Sequence, residues 1–321
     1  SSSEGWDGTT VKQPVVSYGT ASVETAEELA WVAQQINSGS EEINAIFLQG
    51  DIDLNGKEWT PIGTKSNPFT GRFYGNGHTV SNLLITSDND YLGLFGYVQG
   101  ADGDSASISD ITVVGNIETT GKQVGGVVGY AQYADLSYVR NEVDITVNKA
   151  NSSDMLSYTG GVVGEASLCD IDHASNSGEI TVASGQDNTG GIVGYTSKSY
   201  IRHSSNSGKI TAGGYTGGIV GHYNVRSGAY GVTDCYNTGN INGRGGIVGG
   251  IAGYVSCSNG ALGVLAGLYN RGNITGQNNV GGIVGYFSGG NMSSVTGVYS
   301  TGAVTATTSS TMGNGVIGRM Q

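Results

Sequence analysis

Gly190-Gly191-Ile192-Val193-Gly194-Tyr195 decides how this chain is read, because the same six-residue pattern recurs from Gly93 to Arg319. The other copies are Gly93-Leu94-Phe95-Gly96-Tyr97, Gly125-Gly126-Val127-Val128-Gly129-Tyr130, Gly160-Gly161-Val162-Val163-Gly164-Glu165, Gly217-Gly218-Ile219-Val220-Gly221-His222, Gly249-Gly250-Ile251-Ala252-Gly253-Tyr254 and Gly281-Gly282-Ile283-Val284-Gly285-Tyr286. A degenerate copy, Gly315-Val316-Ile317-Gly318-Arg319, closes the series. The glycine before each apolar pair stands at 93, 126, 161, 191, 218, 250, 282 and 315, giving steps of 33, 35, 30, 27, 32, 32 and 33 residues. A period of this size marks a stacked repeat, in which one unit cannot bury its apolar face alone.

A second signature lies between the glycine motifs: Ile171…Asn176-Ser177-Gly178-Glu179-Ile180-Thr181, Ile201…Asn206-Ser207-Gly208-Lys209-Ile210-Thr211, Val232…Asn237-Thr238-Gly239-Asn240-Ile241 and Asn270-Arg271-Gly272-Asn273-Ile274-Thr275. Ser300-Thr301-Gly302-Ala303-Val304-Thr305 is a weaker copy. Each unit therefore offers about three short β-prone pieces separated by Gly, Asn and Ser turns. This spacing predicts an all-β fold, a parallel β-helix of about three short strands per coil, with the right-handed coil as the default hand. Coils about 4.8 Å apart align equivalent residues in columns. Ile192, Ile219, Ile251 and Ile283 then fill the interior, Asn176, Asn206, Asn237 and Asn270 form an amide ladder, and the Gly-Gly pairs take a tight corner or a close backbone approach.

An open solenoid end exposes strand edges and needs a cap. Thr25-Ala26-Glu27-Glu28 is a capping box, and Leu29, Val32, Ala33 and Ile36 follow at helical spacing before Gly39. These predict a capping α-helix over about 26–37 whose apolar stripe covers the first coil. The expected division is an N-terminal arm and capping helix over 1–44, then a β-solenoid over 45–321 whose first strands are 45–48, 51–54 and 71–85. Val316 to Gln321 is expected either to form a terminal edge strand or to mark a point where the chain was cut.

Composition narrows the function classes. Of 321 residues 57 are Gly and only 12% are charged, with 14 basic and 26 acidic side chains and a net charge of −12. No basic cluster invites nucleic acid or an anionic membrane, and no apolar run is long enough to span a bilayer. Cys169, Cys235 and Cys257 are odd in number and lack metal-ligand spacing, so neither a disulfide framework nor a zinc finger is expected. Cys235 aligns with Ser204 and Leu268, which predicts an inward, inert thiol.

The glycine repeat resembles the GLUG-motif family of bacterial surface proteins. Thr25-Ala26-Glu27-Glu28-Leu29-Ala30, Asn37-Ser38-Gly39, Asp51-Ile52-Asp53-Leu54, Trp59-Thr60-Pro61-Ile62-Gly63 and Phe69 to Val80 resemble the segment that commonly precedes such repeats. The likeness runs from about residue 22 onward. It implies an adhesin-like surface protein or an accessory region of a large secreted protein, including the IgA-cleaving metallopeptidases, but supplies no catalytic residue. The peptidase motif His-Glu-x-x-His is absent, the histidines being His78, His173, His203 and His222. Trp6-Asp7-Gly8 resembles the front of exported bacterial lipoproteins, which implies an extracellular location with lipid anchoring outside the given chain.

Three constellations could carry chemistry. Tyr97, Tyr130, Tyr195, Tyr254 and Tyr286 share one repeat position, interrupted by Glu165 and His222. An outward stripe of this kind could stack on sugar rings; the competing expectation is that it joins neighbouring coils. His173, His203 and Asp234 each lie three residues before a ladder Asn, with Tyr138 and Gly267 flanking them. That column could hold zinc or share protons, but one coil step exceeds the usual ligand separation, so a plain corner column is expected and no metal or cofactor is assigned. The carboxylate pairs Asp51/Asp53 and Asp170/Asp172 suit acid–base work on polysaccharide, with strand-turn bonding as the expected role of Asp51/Asp53, and Asp88-Asn89-Asp90, which offers oxygens to calcium but lacks the twelve-residue loop pattern, reads as a polar turn. The functional expectation is a non-enzymatic, adhesin-like recognition module for extracellular glycans or host and matrix proteins. The alternatives are a polysaccharide-degrading β-helix enzyme and a passive surface spacer, whose solenoid would span roughly 40–50 Å.

Overall fold

Parallel pairing that advances by one repeat at a time makes this chain a solenoid. In the computed structural model, which describes residues 4–40, 42–148, 156–183, 185, 187–258, 261–289, 292–308 and 313–321, Leu136 pairs with Ile171, Ile171 with Ile201, Ile201 with Val232 and Val232 with Leu265. A second file runs Val128, Val163, Val193, Val220, Ala252, Val284 and Ile317. About eight turns stack in this way, every one parallel to the next. Antiparallel pairing between named strands occurs where Val15–Ser17 meets Thr20–Val23. Thr20–Val23 then pairs in parallel with Ala45–Leu48, so residues before the helix already supply a first rung.

One coil shows how the sequence pieces are used. It comprises Ser157–Gly160, Val163–Ser167, Asp170–Asn176 and Ile180–Val182. The first of these, before the Gly-Gly corner, is a short strand additional to the three apolar pieces of the repeat. Along Asp170–Asn176 the side chains of Ile171, Ala174 and Asn176 are buried, while those of Asp170, Asp172, His173 and Ser175 lie at the surface. His173 has a left-handed backbone (φ 53°), and so do Asp110, Tyr138, His203, Asp234, Gly267 and Gly297 at the same place in their coils. This single left-handed residue breaks strict alternation and puts two outward residues side by side. Asn, Asp, His and Gly tolerate the conformation best.

The two sequence signatures meet in the interior. A Cβ on Gly161 would lie 2.2 Å from the Gly191 carbonyl oxygen and 2.5 Å from Asn176 Oδ1, and one on Gly191 would lie 2.1 Å from the Gly218 oxygen and 2.6 Å from Asn206 Oδ1. The second glycine of each pair is therefore required by close approach of the ladder and the next coil, not by positive φ. The amides within the ladder are fully used. Asn206 Nδ2 donates to Asn237 Oδ1 at 2.8 Å and to the Gly208 carbonyl at 2.9 Å, while its Oδ1 accepts from Asn176 Nδ2 at 2.8 Å and from Gly208 N–H at 3.2 Å. The ladder begins one coil earlier than its sequence signature, at Asn141, and ends on Ser300 Oγ. Ile192, Ile219, Ile251 and Ile283 are all buried within one continuous core.

The cap forms as its sequence dictates. The helix Ala26–Ser38 starts on Thr25, whose Oγ1 accepts from Glu28 N–H, and Glu28 Oε1 in turn accepts from Glu24 N–H. It stops at Gly39, which is left-handed (φ 68°). Leu29, Val32, Ala33 and Ile36 are buried, and Asn37 ties the last turn to the Pro61 carbonyl and the Gly63 N–H. At the far end, Gly313–Met320 pairs with Ile274–Ser288. No helix among the described residues is long and apolar enough to cross a membrane.

Candidate functional site

The tyrosine column exists as a physical stripe, but its rings lie against one another. Tyr97 stacks on Tyr130 with centroids 4.5 Å apart, and Tyr254 on Tyr286 at 5.0 Å. His222 fills its place in the column between Tyr195 (5.1 Å) and Tyr254 (4.5 Å). A second file of rings, absent from the sequence reading, packs beside it: Tyr91 against Tyr97, Tyr158 against Tyr195, and Tyr215 against Tyr254. Tyr97 is consequently only 8% exposed, and burial raises the phenols of Tyr97 and Tyr130 above their ordinary range. Several hydroxyls have protein partners: Tyr195 with Asn224, Tyr254 with Ser288 and Tyr286 with Gln321. Glu165 interrupts the stripe, half-buried and raised in pKa by burial, against which the Gln123 hydrogen bond acts. Burial also lowers the His222 imidazole to about 4, assisted by the charge of Arg226, so the column is neutral there at pH 7.

At its C-terminal end this stripe borders an open groove of about 940 Å³. Tyr215, which packs on Tyr254, and Arg319, whose guanidinium lies 5.1 Å over the Tyr286 ring, belong to both. Asn188, Arg244, Ile247 and Asn278 line the rest, and the buried Asn188 Oδ1 has no hydrogen-bond partner among the described residues. The volume is that of a small-molecule or oligosaccharide site.

The sheet built from Asp170–Asn176 and its equivalents carries the exposed chemistry. Tyr236, Tyr269 and Tyr299, each immediately before a ladder position, stack at 4.8 and 5.2 Å with planes 1° and 8° apart. Tyr236 and Tyr299 are 38% and 46% exposed, and Arg271 lies over the Tyr269 ring. Their signal in the sequence was the residue preceding each ladder position.

On the same sheet, three coils earlier in the stack, Tyr138, His173 and His203 form a second exposed stack, with ring separations of 4.5 and 4.8 Å. Asp172 sits between the imidazoles: its Oδ1 is 3.0 Å from His173 Nδ1 and 2.7 Å from His203 Nδ1. Asp234 Oδ2 is 3.6 Å from His203 Nε2. The structure thus brings together both histidines of the predicted polar column, but places Asp172, not Asp234, between them. Burial would raise the Asp172 carboxyl, yet the hydrogen bond from His203 and the charges of His173, His203 and Arg202 outweigh it and hold it below its ordinary value. Asp170 is ion-paired with Arg202.

The other acidic groups bond chiefly to the next coil rather than within their own turns, with one local turn at Asp53. Asp51 accepts from Thr79 N–H, and Asp53 from Asn55 N–H and Asn82 Nδ2. Asp88 and Asp90 accept from Thr120 and Lys122 N–H. All three thiols are buried, and burial pushes Cys169 and Cys235 up to about 12.

Comparison with known proteins agrees with this architecture. No family model matches the chain. A 113-residue stretch, 33% of this chain and 13% of the other, is 29% identical to a candidate Gly-rich membrane protein of Evansella cellulosilytica. Among solved structures, one named as an IgA1 protease matches 90% of this chain with a TM-score of 0.59 and 20% identity, and the match covers 22% of that protein. A candidate immunoglobulin A1 protease from Bacteroides ovatus matches 94% of this chain and 84% of its own at 18% identity, with a TM-score of 0.48. The chain therefore spans about an eighth of the sequence relative and about a fifth of the protease structure. At 20% identity the likeness to the IgA1 protease structure establishes a shared fold alone.

Proposed function

We propose that the chain is a non-enzymatic recognition module of a bacterial surface or secreted protein, and that it binds an extracellular glycan. The observation that carries this reading is the 940 Å³ groove, lined by Tyr215, Arg244, Asn188 and Asn278 among others. Amide and guanidinium groups suit sugar hydroxyls and carboxylates, and a tyrosine ring suits the apolar face of a pyranose. The predicted stripe enters as the support of that ring: Tyr254 and Tyr286, with Arg319, hold Tyr215 and the groove margin in place. Tyr97, Tyr130 and Tyr195 act in the same stripe by joining coils. The glycine-repeat resemblance supports a place among GLUG-motif surface proteins, and the likeness to an IgA1 protease supports an accessory role beside other domains. The Trp6-Asp7-Gly8 resemblance supports lipid anchoring outside the given chain.

A glycan array with the purified chain tests the reading. Binding of one glycan class, weakened at least tenfold by Arg244→Ala or Asn278→Ala with the fold intact, is expected. A blank array, or a glycan held equally well by both variants, would sink it. A second reading rests on a separate observation. The exposed Tyr236–Tyr269–Tyr299 stack with Arg271 has the composition of a protein-binding surface, and binding to matrix proteins lost in the triple Tyr→Ala variant would favour it.

A further inference from the structure

We propose that Asp172, His173 and His203 form a binding site for one divalent transition-metal cation of the zinc class on the outer face of the solenoid. The inference stands apart from glycan recognition. Three side chains from two successive coils each offer one ligand atom, and these atoms all lie within 4.8 Å of one another. Zinc bonded at about 2.0–2.1 Å in a tetrahedron spaces its ligands about 3.3 Å apart. The two imidazole-to-carboxylate separations, 3.0 and 2.7 Å, are hydrogen-bonding contacts somewhat shorter than that and need to open only slightly to admit the ion. The imidazole-to-imidazole separation must shorten, and side chains 41% and 47% exposed have room to turn.

The backbone is what makes the convergence possible. A coil step alone is too long for two ligands of one ion. The left-handed conformation at His173 and His203 (φ 53° and 49°) tilts both rings into one stack and leaves Asp172, the residue just before His173, beside them. The surroundings hold the set in place. Tyr138 stacks on His173 with planes 12° apart. Asp234 faces His203 Nε2 at 3.6 Å, so a metal on Nδ1 would leave Nε2–H directed at a carboxylate, the outer-shell pairing that orients metal-bound histidine. Arg202, which lies in register beside Asp172, is committed to Asp170. Among the described residues no fourth ligand converges on the three, so a bound ion would keep a position open to solvent or to an incoming oxygen or nitrogen donor.

The test is calorimetric titration of the tag-free chain with zinc chloride, with cobalt(II) absorption as a report on geometry. One zinc per chain is expected. Loss of an outer-shell partner costs about 10–100-fold in affinity, so Asp234→Asn should weaken binding about tenfold, His173→Asn or His203→Asn, which remove ligands themselves, should each weaken it more than Asp234→Asn does, and the double variant should abolish it. Asparagine is chosen because it keeps the left-handed backbone; circular dichroism would confirm that the variants fold. No saturable binding up to about 1 mM zinc, or a site undiminished in the double variant, would overturn the proposal, the latter placing the metal elsewhere.

Discussion

Replacing Asn206 by Ala tests whether the ladder joins the coils. The substitution removes four hydrogen bonds at once: two to neighbouring ladder amides at 2.8 Å, one to the Gly208 carbonyl and one from the Gly208 N–H. Asn206 is fully buried, so water cannot replace them. Asn176 Nδ2 keeps its bond to Gly178, and Asn237 Oδ1 keeps that from Gly239 N–H. At about 1 kcal/mol net for each neutral bond, the four sum to about 4 kcal/mol, and orphaned buried partners can raise this. With an unfolding entropy of about 2.1 cal/mol/K per residue over the chain, that is a fall of about 6 °C in cooperative melting. A repeat array can lose stability locally before it melts as a whole, so native-state hydrogen exchange is the better assay. The Gly178, Gly208 and Gly239 amides should exchange far faster, while those in the capping helix should not change. Lys209→Ala, three residues away and exposed, is the control. A fall of under 1 °C with exchange unchanged at the neighbouring turns would refute the idea that the ladder couples coils.

Three further outcomes follow from the packing and from the titrating groups. Gly191→Ala should destabilise by several kcal/mol, because its Cβ meets the Gly218 carbonyl at 2.1 Å, whereas Gly50→Ala, with nothing within 4 Å, should be nearly neutral by thermal melting. The pKa of His222 is about 4 in the folded chain against 6.5 ordinarily, so the unfolded chain takes up its proton first as pH falls; the stability contributed by the neutral ring is complete above about pH 6.5 and is lost towards pH 4. Denaturation across that range should show a loss of about 2–3 kcal/mol, allowing for partial solvent access to the ring, and His222→Tyr should flatten it. The buried thiols, with Cys169 and Cys235 pushed up to about 12 and Cys257 raised by burial, should not react with a disulfide reagent in the native protein at pH 8, and all three should become reactive on unfolding.

What the sequence made legible is what the backbone ladder forces. Once coils pair in register, Ile192 must lie over Ile219 and Asn176 over Asn206, so a period read from glycines places every interior column. The cap was legible for a local reason, since Thr25, Glu28 and Gly39 bond within a few residues of themselves. Approach between columns was not legible. Nothing in the period shows that Tyr215 packs beside Tyr254, that Gly161 faces Asn176, or that Asn141 joins the ladder without the usual glycine two residues on. His173 and His203 were legible as one column, but Asp172's place between them was not: its contact with His203 runs diagonally between coils and depends on a left-handed residue that displaces the in–out alternation.

This contrast also indicates where activity can reside. An interior position such as Asn206 is fixed by four partners and cannot change without cost to its neighbours on both sides. The left-handed column is fixed only in its backbone: Tyr138, His173, His203, Asp234 and Gly267 all satisfy it with different side chains. The outward position before the ladder is equally free, passing from Ser175 and Ser205 to Tyr236 and Tyr269. The sheet that holds both columns can therefore change its surface chemistry from coil to coil while the stack beneath stays constant. The imidazole–carboxylate cluster and the exposed tyrosine stack lie on that one sheet, where a regular solenoid leaves room for them.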